Sequence, residues 1–171
     1  MATFVALLRA INVGGTGLLP MKELAALCAG IGVENVRTYI QSGNVVFETA
    51  LSESRIQTKL EQALTARMGK KIDVVVRSAS ELRSILQDNP FPDAMPAKVA
   101  VVFLSSPAPK DLLHQIAAPG GEEVRLGKRE IYIYYPNGMG KSKLKLPSAL
   151  GPATARNINT VGKLVAMTAW R

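Results

Sequence analysis

Apolar and β-branched residues cluster at Thr3 to Leu8, which predicts a buried first strand. A loop from Arg9 to Leu19 leads to Pro20, a residue suited to the first turn of a helix. Met21, Leu24, Ala25, Leu27 and Cys28 give that helix an apolar stripe, which Gly30 or Gly32 would end. Val36 to Ile40 and Asn44 to Phe47 read as a hairpin around Ser42-Gly43. Ser52 or Ser54 can cap a long helix, on which Ile56, Leu60, Ala63, Leu64 and Met68 recur at helical spacing. Ile72 to Val76 is the next strand. The order is βαββαβ, that of a split-βαβ or ferredoxin-like unit.

The second half repeats βαββ and then a helix, in element order and not in residues. A short helix at Ser80 to Leu86 is broken by Asn89-Pro90-Phe91-Pro92, which reads as the join between halves. Val99 to Leu104 is a strand, Lys110 to Ala117 a helix, and Glu122 to Leu126 with Glu130 to Tyr135 a hairpin. A final helix is expected from about Thr160 to Trp170. The predicted class is therefore α+β. Two ferredoxin-like subdomains, 1–88 and 89–171, would arise by internal duplication and form one compact unit, with mixed or antiparallel sheets and helices packed on them.

Composition narrows the setting. Hydrophobic residues make up 47% of the 171 and charged residues 20%, an ordinary globular balance. The longest strongly apolar run, Val99 to Leu104, is far short of the roughly 20 residues a membrane span needs. Arg9 interrupts the N-terminal apolar stretch, so an export signal is not expected. The single cysteine, Cys28, excludes an intramolecular disulfide, and a reducing cytoplasm is the simplest location.

Charge changes the picture more. Ile131 to Arg171 contains no aspartate or glutamate, yet carries Lys141, Lys143, Lys145, Arg156, Lys163 and Arg171. Six of the eight net positive charges therefore lie in this acid-free C-terminal segment, which points to an anionic partner. If extended, Lys141, Lys143 and Lys145 would share one face about 7 Å apart, with Leu144 and Leu146 on the other. Tyr132 and Tyr134 share one strand face and could stack nucleobases beside that row. The plainer readings are a lysine-protected edge strand and tyrosines that cover a helix.

Several familiar chemistries are not expected. Gly140-Lys141-Ser142 ends like a Walker A motif, but Tyr135 stands where the first glycine belongs and the residues that follow do not open a helix. Gly15-Thr16-Gly17 begins like a dinucleotide fingerprint, but Pro20 takes the third glycine's place. One histidine, His114, and one cysteine make no familiar zinc set, and no cofactor is expected. Cys28 on its apolar stripe reads as core packing. Glu122-Glu123 reads as a solvated turn, and the acids show no pairing for general acid and base work.

Three polar islands remain. Arg9-Ala10-Ile11-Asn12-Val13-Gly14-Gly15 lies between a strand and a helix, where Gly14 and Gly15 could bring backbone N–H groups to an anion or simply form a βα turn. Tyr39-Ile40-Gln41-Ser42-Gly43-Asn44 holds the hairpin turn, with Gln41 and Asn44 as ligand candidates or turn polars. In Thr154 to Thr160, Asn159 or Thr160 can cap the last helix. Arg156 before that cap and Lys163 in the first turn oppose the helix dipole, a conflict that a bound anion or solvent would relieve. Arg156, Asn157, Asn159 and Lys163 are the candidates there.

LLRAINVGG with Pro20-Met21, YIQSGNVVF at 39–47 and TARNINTVGKL at 154–164 together resemble the Domain of Unknown Function 1697 family, which is mainly bacterial. The resemblance spans the chain in order and implies two ferredoxin-like subdomains, without an activity. Ala10 stands where glycine is usual, and Ile158 where an aromatic is common. The leading expectation is a non-enzymatic module for a phosphate-bearing partner, nucleic acid first among them. The rivals are an enzyme or nucleotide-like ligand binder, with Arg9, Asn12, Gln41, Asn44, Arg156 and Asn157 lining a polar cleft, and an oligomeric scaffold.

Overall fold

The first strand, β1 (Ala2–Leu8), is buried from Phe4 onward. A computed structural model describes residues 1–9, 19–39, 43–147, 150–151 and 153–169. The chain divides into two units, Met1–Arg83 with the C-terminal residues from Leu164, and Ser84–Lys163.

In the first unit, β1 is followed by α1 (Met21–Gly30), β2 (Glu34–Tyr39), β3 (Asn44–Thr49), α2 (Glu53–Met68) and β4 (Val74–Ser78). The strands form an antiparallel sheet in the order β2-β3-β1-β4. Strand alternation sends Phe4, Ala6, Leu8, Val45, Phe47, Val74 and Val76 into one core with Leu24 and Cys28 of α1 and Ile56, Leu60 and Leu64 of α2. The Oγ of Ser52 accepts the N–H of Arg55 and so caps α2. Gly69, at φ 73°, ends it in the left-handed region.

The second unit contains β5 (Val99–Leu104), β6 (Glu123–Leu126), β7 (Glu130–Tyr134) and β8 (Ala153–Asn157), antiparallel in the order β6-β7-β5-β8. This is the strand order of the first sheet, and the registers agree as well. Val5 lies opposite Val46 and Arg77, and Val101 opposite Tyr132 and Arg156. Leu7 lies opposite Asn44 and Val75, and Phe103 opposite Glu130 and Thr154. A helix follows the fourth strand of each sheet directly, α3 (Ala79–Gln87) after β4 and α4 (Ile158–Met167) after β8. The unit boundaries fall inside these two helices.

Four expectations change. The helix expected at Lys110–Ala117 is a single 3-10 turn, Leu112–Gln115. Prolines 107, 109 and 119 bracket it too closely for a helical nucleus to repay its cost. The segment Ala153–Asn157, to which the sequence pattern assigns no element, is strand β8. It lies at a sheet edge, where polar residues are tolerated. The last helix begins at Ile158, capped by Asn157, whose Oδ1 accepts the N–H of Thr160 at 2.9 Å. Glu122 is not at a solvated turn: it is buried, and its Oε1 accepts the N–H of Gly120 at 3.1 Å.

Candidate functional site

After β7 the chain turns at Gly138 (φ 86°), makes a 3-10 turn at Met139–Lys141, and leaves it with Ser142 extended. Residues 142–147 form no strand, so the lysine row is not a sheet edge. Burial nevertheless alternates along the segment. Lys141, Lys143 and Lys145 are exposed, while Leu144 and Leu146 pack on the core of Val102, Leu104, Ile131 and Ile133. The alternation follows from the sequence, since a two-residue apolar period ending at Pro147 suits an extended strap and not a helix. No carboxylate among the described residues pairs with any of the three lysines.

Arg156 and Lys163, further along the same acid-free segment, are placed differently. Arg156 lies on β8, and its Nη1 donates to the carbonyl of Ala155 at 2.9 Å. Desolvation lowers its pKa to about 10, which leaves it charged at neutral pH. Asn157 is committed to capping α4. Asn159 and Lys163 are exposed. With the cap at Asn157, Lys163 falls in the second turn, where the dipole has decayed and the expected conflict is small.

The tyrosine pair offers no open stacking face. Tyr132 is 3% exposed, and its hydroxyl donates to the carbonyl of Ile85 at 2.6 Å. Burial, with help from the charges of Glu130 and Asp88, pushes its pKa upward. Tyr134 is half-buried against Phe91, ring centroids 5.8 Å apart, and the guanidinium of Arg125 lies 5.6 Å from the centre of the Phe91 ring.

In the first unit, Asn44 is fully buried and donates to the carbonyl of Tyr39 at 3.0 Å, which ties the hairpin and leaves it unsuited to a ligand. Asn12, Gly14, Gly15, Gln41 and Ser42 lie outside the described residues. Arg9 borders a small cleft of about 230 Å³ with Lys70, Lys71, Ile72 and Asp73. Sequence reasoning missed Lys70, Lys71 and Asp73, which no motif in the chain marks. It also missed Arg77, only 2% exposed, whose only signal was an arginine closing the Val74-Val75-Val76 run. Arg77 donates through Nη1 to the carbonyl of Val76 at 3.0 Å, and its Nε lies 3.7 Å from Glu81.

Other chemistries find little support among the described residues. No group of three or more histidine, cysteine or acidic side chains could hold a metal. No helix among them is long and apolar enough to cross a membrane. Cys28 is buried, and desolvation pushes its thiol up to about 12, which makes it a poor nucleophile.

A family model described as "Protein of unknown function (DUF1697)" matches residues 1–132. A solved structure, that of the conserved bacterial protein SP0830 from Streptococcus pneumoniae, is similar in fold. It has a TM-score of 0.79 and 24% identity over 98% of this chain and 99% of that one. No curated protein matches the chain.

Proposed function

Because the chain belongs to the DUF1697 family of proteins of unknown function, which brings no activity with it, we propose from the site itself that it is a non-catalytic module for a phosphate-bearing partner, nucleic acid in the first instance. One observation carries the reading: the strap of residues 141–147 turns its leucines to the core and its three lysines to solvent, and no described carboxylate pairs with them. Lys163 and Arg156 extend the same charge along the sequence without intervening carboxylates. The buried Tyr132 removes base stacking on the β7 face from the proposal, so recognition is electrostatic. A lone buried cysteine fits a reducing, cytoplasmic setting.

We also read the two units as ferredoxin-like folds derived from an internal duplication. The common strand order, the common register and the helix after each fourth strand support this.

The test is binding of a fluorescent oligonucleotide across a salt series. Neutralising four or five phosphates gives a slope of log affinity against log salt of about −4. Binding that is absent at low salt, or independent of salt, would refute the reading.

A further inference from the structure

The cleft beside Arg9 carries a second proposal, independent of the strap. The backbone N–H of Arg9, just past β1, donates to the carbonyl of Asp73 at 3.0 Å. The Asp73 carboxylate lies 3.7 Å from Arg9 and 3.8 Å from Lys71, close enough to hold both cations but too far to satisfy their N–H donors. Lys70 completes the wall.

The loop that presents these lysines is braced. Gly69 ends α2 in the left-handed region, Ile72 is buried, and α2 side chains tie down the backbone on either side of Asp73. Thr65 accepts the N–H of Ile72 at 3.3 Å and Glu61 accepts that of Val74 at 2.9 Å. The backbone that carries Lys71 and Asp73 is thus ordered before any ligand arrives, which lowers the cost of binding.

Three cations against one carboxylate leave two positive charges, and the C-terminal end of α2 subtracts about half a charge. A net of about +1.5 remains in the cleft. A guanidinium beside an ammonium suits the tetrahedral oxygens of a phosphoryl group. The volume of about 230 Å³ lies below the span of drug-sized sites, which begins at about 300 Å³, so it suits a phosphate with a small carrier and not a whole nucleotide.

We infer that Arg9 and Lys71, held by Asp73, form with Lys70 a binding site for a small phosphate monoester or inorganic phosphate. The experiment titrates the full chain with inorganic phosphate and with ribose 5-phosphate by calorimetry, holding ionic strength constant with chloride. Saturable binding is expected for at least one of the two. A tighter ribose 5-phosphate isotherm identifies an organic monophosphate, and equal isotherms identify the phosphoryl group alone. Lys71→Gln, at an exposed position, should weaken binding about tenfold, the usual effect of losing one charge-assisted contact. Asp73→Asn should strengthen it several-fold, because the competing anion is gone; a purely structural role for Asp73 predicts no gain. Lys110→Gln, at an exposed lysine outside both the cleft and the strap, should bind phosphate unchanged, which controls for the loss of one net charge. Absence of saturation by both ligands, or unaltered affinity in Lys71→Gln, would overturn the inference.

Discussion

The two units have the same strand order and register but cover corresponding sheet faces differently. Between its third and fourth strands the first unit uses the 16-residue helix α2, and the second uses the strap of residues 141–147. Each delivers apolar side chains to its sheet, Ile56, Leu60 and Leu64 from the helix and Leu144 and Leu146 from the strap. A sheet face therefore needs apolar cover, and a helix is only one way to supply it. The charges differ in consequence. On α2, acids and bases are interspersed, with Glu53, Arg55, Lys59, Glu61 and Arg67 in 16 residues. On the strap, alternation puts lysines alone on the outer side.

Core substitution tests this contrast with the largest expected effect. Leu60 is fully buried, so Leu60→Ala should cost about 2–5 kcal/mol by urea denaturation. Leu146 is only half-buried, and Leu146→Ala should cost about 1 kcal/mol. Equal costs would mean that the strap is as integral to its core as the helix.

The lysine row gives the next effect, on binding and not on stability. Changing Lys141, Lys143 and Lys145 together to glutamine removes about three phosphate contacts, so the salt slope should fall from about −4 to about −1. Because all three are exposed and unpaired, the melting temperature should hardly move. An unchanged slope would clear the strap of any role.

A third comparison uses the arginines that occupy matched register positions. Arg77 is almost wholly buried, and Arg77→Ala should cost about 3 kcal/mol, because its stem packing and its bonds inside the protein are both lost. Arg156 is only partly buried, and Arg156→Ala should cost about 1 kcal/mol. A reversed order in chemical denaturation would show that matched registers do not imply matched roles.

Much of this fold was legible because its strands are long apolar runs and α2 has a strong helical period. The missing elements failed for physical reasons. Strand β8 is an edge strand of mixed polarity, Ala-Thr-Ala-Arg-Asn, which carries no alternation to read. The expected helix at Lys110–Ala117 had the right residues but too little length between prolines. The strap's facing was legible because period two survives without a ladder. Tyr132 was misplaced because a strand shows which residues share a face, and not which face is covered. The Arg9 cleft joins residues more than 60 positions apart, and only the pairing of β1 with β4 brings them together.

The smallest effect concerns the helices that follow β4 and β8. The Oγ of Ser78 accepts the N–H of Glu81 at 3.2 Å, and the Oδ1 of Asn157 accepts that of Thr160 at 2.9 Å. Phe4 and Ala100, the strand partners of these caps, hold corresponding places in β1 and β5. Each cap satisfies a donor that the first helical turn cannot, so Ser78→Ala and Asn157→Ala should each cost about 1 kcal/mol. Restoring a different capping residue, Asn at 78 or Ser at 157, should recover most of the loss, because asparagine and serine cap about equally well. If only one exchange were tolerated, the strand-to-helix junctions would differ in backbone geometry, and the duplication would have to rest on strand order and register alone.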